Sequence, residues 1–342
     1  MHVLTPLLAL VSLATASCAT LPASAPAEIA YANPVLDGDF PDPALIRAPD
    51  GFYYAYATQS ERGGKMLNIQ AARSSDLVQW QQLGDALPAK PGWASQTQDF
   101  WAPHVTRDGA RYIMYYSAKP DGTDKDRSLC LAVATASSPA GPFVDVGKPL
   151  LCGEGFVNID PMAFDDPATG KRLLYWGSGF KPIKVQELGP DRLSFVPGSS
   201  ATDLVWPNAT KDAFPVLVEG AWVVRRGGWY YMFYSGDNCC GAKANYAVMV
   251  ARSKSATGPY QTLEQATGKP HSIILEKNGF WLAPGHNAVI TDAAGQDWIV
   301  YHAVDTRKPR EKPSDDINTR RIMLIDRIGW ENGWPVIVPS SR

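Results

Sequence analysis

Apolar and polar positions along this chain alternate in short bursts and never settle into a helical period. No segment of 12 or more residues holds apolar side chains at three- and four-residue spacing. Instead, an aromatic-rich run recurs five times: Phe52-Tyr53-Tyr54-Ala55-Tyr56, Tyr112-Ile113-Met114-Tyr115-Tyr116, Leu173-Leu174-Tyr175-Trp176, Trp229-Tyr230-Tyr231-Met232-Phe233-Tyr234 and Trp298-Ile299-Val300-Tyr301. The runs start at 52, 112, 173, 229 and 298, so the spacings are 60, 61, 56 and 69 residues. Each follows a glycine or a short polar turn. After most of them comes a strand of small residues, as in Ile69 to Ser74, Leu131 to Ala136 and Ala247 to Arg252. A turn and a further short strand follow, at Gln79-Trp80, Pro142-Phe143 and Pro259-Tyr260. Another apolar stretch precedes each aromatic run, so each unit offers about four strands.

Four-stranded units repeated about an axis predict an all-β fold, a five-bladed β-propeller with a central channel. Five such units account for nearly all of residues 28–342 of the 342-residue chain, read as one domain. A β-sandwich is the rival architecture, but it does not require so long a repeat in this strand order. Composition agrees: 29 Gly and 28 Pro supply many turns, and 45% hydrophobic residues argue against disorder. A net charge of −2 lacks the basic stripe that nucleic acid demands. The 11 Trp fit a Trp-rich core, or aromatic faces that stack on sugar rings.

The first 27 residues carry no charged side chain, and Leu4 to Ala16 are mostly apolar, too short to span a bilayer. Residues 1–27 read as a signal peptide, although Met1-His2-Val3 lacks the usual Lys or Arg. Thr15-Ala16-Ser17-Cys18 resembles a bacterial lipobox, which would anchor the protein by a lipid at Cys18; ordinary cleavage after Ala23 or Ala25 is the other reading. Either way the protein is expected to be exported, to the periplasm, the cell surface or the medium. Four cysteines then remain. Cys130 with Cys152 is the sensible long-range bridge. Cys239 and Cys240 are expected to form a strained vicinal ring, with two free thiols as the alternative.

In a propeller the innermost strands line the channel, and their first residues meet at its mouth. Those starts carry Asp42 in Phe40-Pro41-Asp42-Pro43, Pro103 in Trp101-Ala102-Pro103-His104, Asp160 in Asn158-Ile159-Asp160-Pro161, Glu219 in Val218-Glu219-Gly220, and His286 in Gly285-His286-Asn287. Their distances to the following aromatic run are 10, 9, 13, 10 and 12 residues. A lone Asp before Pro is an ordinary turn residue. Three carboxylates in register about one axis are costly unless function uses them.

These segments, with Ser75-Asp76-Leu77-Val78-Gln79-Trp80 and Gly333-Trp334-Pro335, resemble the family 43 glycoside hydrolases, five-bladed propellers that cleave arabinose- or xylose-containing glycans. The resemblance covers about Asn33 to Pro339 and implies Asp42 as general base, Glu219 as general acid and Asp160 as the residue that orients and tunes the acid. It also implies substrate contacts at Phe40, Trp101, Asn158 and Arg321. His286 matches a histidine that in arabinan-cleaving members lies beside a calcium or other ion, which makes it the candidate metal contact; the chemistry itself implies no cofactor. Ala221 departs from the family's usual Glu-Gly-Pro. The absence of a further β-sandwich after Pro339 favours the arabinan-active branch.

The resemblance thus implies an inverting hydrolase of α-L-arabinofuranosyl linkages, in which Asp42 deprotonates water and a protonated Glu219 releases the leaving oxygen. The rivals are a β-xylosidase and a non-catalytic sugar-binding propeller, the latter with no need of acid and base together. No protein partner is implied.

Overall fold

The computed structural model describes residues 1–3, 30–122, 128–210 and 213–340. The expected leader and Cys18 lie outside the described residues apart from the first three. Five antiparallel sheets follow one another along the chain, each built on four strands in sequential order from the inside outward, with a fifth short strand added to the second and fourth sheets. The inner strands are Ala44–Arg47, Phe100–Asp108, Met162–Asp165, Val218–Arg226 and Trp281–Thr291. The aromatic runs form the second strands: Tyr53–Ala57, Arg111–Ala118, Arg172–Trp176, Trp229–Gly236 and Asp297–Asp305. The five-bladed propeller expected from the repeat is therefore the architecture.

Chemistry dictates this layering. Second and third strands lie between neighbours on both faces, so they read as continuous apolar runs. Tyr53 to Ala57 and Tyr112 to Ala118 are buried without a break. The third strands carry small residues such as Ala71, Ala72, Ala132, Ala134 and Ala251, which leave room for the aromatic rings of the adjoining blade. Trp176 and Trp298 are fully buried, and Trp222 and Trp334 nearly so, so these four tryptophans serve the core.

The ring closes on its fifth blade. The third strand there, Arg321–Glu331, pairs over residues 327–331 with the C-terminal strand Trp334–Val338. Its other half is taken by the N-terminal segment: Val35 N–H donates to the Met323 carbonyl (3.0 Å), and Asn33 exchanges hydrogen bonds with the Ile325 backbone (2.8 and 2.9 Å). Both ends of the described chain are thus held to one strand. Phe40 N–H donates to Arg321 O (2.7 Å), which fixes the Asp42 segment to the strand that carries Arg321.

Cys130 and Cys152 form the expected disulfide, joining the third strand of blade 2 to the short strand Leu151–Cys152. Cys239 and Cys240 correct the sequence expectation. They stand as thiols with sulfurs 2.7 Å apart, in contact but unbonded. Adjacent Cα atoms lie about 3.8 Å apart, below the span a relaxed disulfide requires.

Candidate active site

The inner strands do not begin as regular strands. Asp42, Ala102, Asp160, Gly220 and His286 all have positive φ, from 45° to 62°. Register breaks fall at the same places, between Trp101 and His104, between Glu219 and Trp222, and on either side of Gly285. Bulges of this kind turn side chains out of the sheet alternation, here toward the channel mouth. For a non-glycine residue, positive φ persists only when neighbours hold it.

A hydrogen-bond ring holds it. Thr58, at the end of the second strand of blade 1, accepts the Ala102 N–H of blade 2 on its hydroxyl (2.8 Å). Ser117 of blade 2 accepts the Asp160 N–H of blade 3 (3.0 Å). Ser235 of blade 4 accepts the His286 N–H of blade 5 (2.9 Å). In blade 5 the equivalent residue is His302, whose Nδ1 accepts the Asp42 N–H of blade 1 (3.0 Å). Ser178 of blade 3 departs from the pattern and donates to the Glu219 carboxylate of blade 4. These hydroxyls and His302 went unmarked in the sequence. Their signal was present, a Ser, Thr or His one or two positions beyond the last aromatic of each run.

The ring brings the sequence candidates together. His286 Nδ1 lies 3.5 Å from Asp42 Oδ1 and 3.7 Å from Asp160 Oδ2. Asp42 Oδ1 also meets Arg321 Nη1 (3.1 Å), and its Oδ2 accepts from Thr58 (2.5 Å). Glu219 accepts from Tyr246 on Oε1 (2.8 Å) and from Ser178 on Oε2. Tyr246 and His302 stack with ring centroids 5.7 Å apart and planes 9° apart. One stacked pair therefore spans from the Asp42 side to the Glu219 side. Two glycines permit the approach: a Cβ on Gly285 would fall 2.1 Å from Tyr246, and one on Gly220 would fall 3.3 Å from His286.

Electrostatics separate the carboxyls. Burial works against ionising Asp42, but Arg321, His286 and His302 beside it together outweigh that cost and hold it well below the usual carboxylate range. Burial also pushes His286 down and takes His302 down to about 4, so Arg321 is the charge that stands beside Asp42 near pH 7. Among the described residues no cation is bonded to the Glu219 oxygens. Burial drives it up to about 7 against the Ser178 and Tyr246 hydrogen bonds, and the Asp42 charge adds to the rise. Burial, then repulsion from Glu219 and Asp42, raises Asp160 well above its ordinary value, against the Gly220 N–H. Asp160 and Glu219 thus compete for protons while Asp42 stays ionised. Beside them, the hydrogen bond from Cys239 draws the Cys240 thiol down to about 6, opposed by burial and aided by Arg321.

The remaining candidates divide. Trp101 is half-buried and stacks on Phe156 with centroids 6.2 Å apart. Phe40 is 1% exposed and belongs to the core, so it backs the site from behind. Asn158 is buried, and its Oδ1 accepts from Trp176 Nε1 (3.1 Å). That bond ties the loop to the second strand through the amide oxygen. Among the described residues no group of three or more His, Cys, Asp or Glu could hold a metal ion. Calcium takes six to eight oxygens, and His286 faces two carboxylates of which Asp42 is already bound to Arg321 and Thr58. Calcium at His286 would therefore take most of its oxygens from water.

The pattern of glycosyl hydrolases family 43 matches residues 31–335. The chain belongs to this family. It is an O-glycosyl hydrolase, which removes the non-catalytic binding propeller. A β-D-galactofuranosidase (xynD) of Aspergillus niger is 30% identical over 86% of this chain and 81% of its own. A probable arabinan endo-1,5-alpha-L-arabinosidase A of Aspergillus flavus is 28% identical over 90% of this chain and 94% of its own. The crystal structure of a thermostable family-43 glycoside hydrolase superposes with a TM-score of 0.73 at 27% identity, covering 91% of this chain and 97% of that one.

Proposed function

We propose that this glycoside hydrolase cleaves α-L-arabinofuranosyl linkages of arabinan and related arabinose-containing glycans, with inversion at the anomeric carbon. The supporting observation is the pair of buried carboxyls with opposite shifts at one channel mouth: Asp42 held ionised by Arg321, and Glu219 held up to about 7 without a cation. Hydrolysis through an oxocarbenium-like transition state needs one group to take a proton and another to give one. Asp42 accepts a proton from a water, whose oxygen attacks the anomeric carbon. Glu219 gives its proton to the glycosidic oxygen as that bond breaks. An inverting pair is about 6.5–9.5 Å apart, with room for the water. Asp160 shares the buried negative field of the acid and, through the Gly220 N–H, holds the backbone beside it. Arg321 keeps the base ionised and faces the sugar; Trp101 supplies an apolar wall.

Arabinan is favoured over xylosides by the arabinosidase relatives. The galactofuranosidase relative adds one comparison, because β-D-galactofuranose and α-L-arabinofuranose share ring configuration and differ in the exocyclic arm. A panel of aryl α-L-arabinofuranoside, β-D-galactofuranoside and β-D-xyloside tests the reading. The arabinofuranoside should have the highest kcat/KM; highest turnover of the xyloside would overturn it. We also place the mature protein outside the cytoplasm, on the uncharged apolar leader and the Cys130–Cys152 disulfide. Whether Cys18 is lipidated is readable from the mass of the mature N-terminus.

A further inference from the structure

Two aromatic rings near the mouth stand out of the surface. Phe180 is 66% exposed and Trp206 is 62% exposed, whereas other tryptophans pack in the core or under cations, as Trp229 does under Lys254 and Arg252. Both exposed rings line one cavity of about 820 Å³, with Pro207, Asn208, Phe214 and Asp237 among its walls. That volume lies in the range of small-ligand sites.

Its lining residues neighbour the acid's partners along the chain: Asn245 precedes Tyr246, which donates to Glu219. Phe180 sits two residues beyond Ser178, the residue that donates to Glu219. Phe180 also has a φ of 62°, a conformation that an aromatic residue adopts at a cost and that recurs at functional sites. On another wall, Asp237 Oδ1 accepts the Val216 and Leu217 N–H groups (2.7 and 3.2 Å), fixing the segment that enters the Glu219 strand at Val218. None of the described lining residues comes from the Asp42 segment. In an inverting hydrolase the acid stands over the leaving group, so a cavity beside the acid's partners suits the part of the glycan that departs.

The lining also states the chemistry of its occupant. Among the described lining residues Asp237 is the charged one, and both its oxygens are engaged, the second by Asn245 Nδ2 (3.2 Å). A neutral ligand with an apolar C–H face suits two exposed rings and a spent carboxylate. We propose that Phe180 and Trp206 form a subsite for a pentofuranosyl residue on the leaving-group side of the scissile bond, with Trp206 as its platform. The inference rests on the arabinan-cleaving reading above.

Trp206→Ala, Phe180→Ala and Trp206→Phe in the full chain test it, with kcat/KM measured on methyl α-L-arabinofuranoside, whose leaving group is too small to reach the rings, and on arabinohexaose. Trp206→Ala should lose about tenfold on arabinohexaose, mostly through KM, and stay within about twofold on the methyl glycoside. Phe180→Ala should lose less, and Trp206→Phe should recover most of the loss. Equal losses on both substrates, or no loss on arabinohexaose, would overturn the subsite while leaving the hydrolase reading intact. Inactivity of the unsubstituted protein on both substrates would overturn the substrate reading and the subsite with it.

Discussion

Asp42 and Glu219 are both buried at one channel mouth, and both are held by hydroxyl donors, yet their carboxyls end in opposite states. Asp42 has Thr58 on one oxygen and the Arg321 guanidinium on the other. Glu219 has Ser178 and Tyr246, both neutral. Burial alone would raise both groups. Arg321, with His286 and His302 beside Asp42, separates them, and makes one a base and the other an acid near neutral pH. The difference originates in topology: the N-terminal segment carrying Asp42 is hydrogen-bonded to the Arg321 backbone, whereas Glu219 begins a strand one blade away.

The largest break in this comparison is removal of either carboxylate. Asp42→Asn and Glu219→Gln should each lower kcat on an aryl arabinofuranoside by about 10³-fold or more, with near-unchanged circular dichroism. Near-native turnover of either variant would remove its assigned role.

A smaller perturbation sharpens it. The Tyr246 hydroxyl lowers the Glu219 pKa, so Tyr246→Phe should raise it. The alkaline limb of kcat/KM should then move up from near pH 7, with a loss of a few-fold at the optimum. The acid limb, set by Asp42, should stay in place, since Tyr246 does not bond that residue. A shift of both limbs would mean that the two carboxyls do not titrate as separate acid and base.

The smallest expected effect is on stability. Glu219 is raised in the folded state to about 7 from an ordinary value of 4.5. The native protein therefore binds more protons than the unfolded chain between these values. The stabilisation is fully present below about pH 4.5 and is lost as pH rises through about 7. Glu219→Gln removes that slope, so its Tm should gain on the parent between pH 5 and 8, by the equivalent of about 2 kcal/mol. Thermal unfolding across that range checks it, and parallel curves would contradict the buried, uncompensated acid.

Much of this was legible in the chain because repetition makes register visible. Five aromatic runs at similar spacing give five second strands, and the residues about ten positions earlier give the mouth. That procedure found Asp42, Asp160, Glu219 and His286. It missed Tyr246 and His302 because their role depends on stacking between blades, and no spacing within one repeat encodes it. The bond between Asn158 and Trp176 was hidden for a related reason: the partners lie 18 residues apart and meet only once the blade has formed. The resemblance, not the repeat, singled out Phe40, whose N–H makes the closing hydrogen bond to Arg321 O and whose ring lies in the core.

The most direct test of the acid and base assignment is the stereochemistry of the first turnover. Proton NMR of an aryl α-L-arabinofuranoside digest, recorded before mutarotation, should show β-L-arabinofuranose appearing first and the α-anomer only later. First appearance of the α-anomer would mean a covalent intermediate on one carboxyl, and would contradict a water-activating Asp42 paired with a proton-donating Glu219.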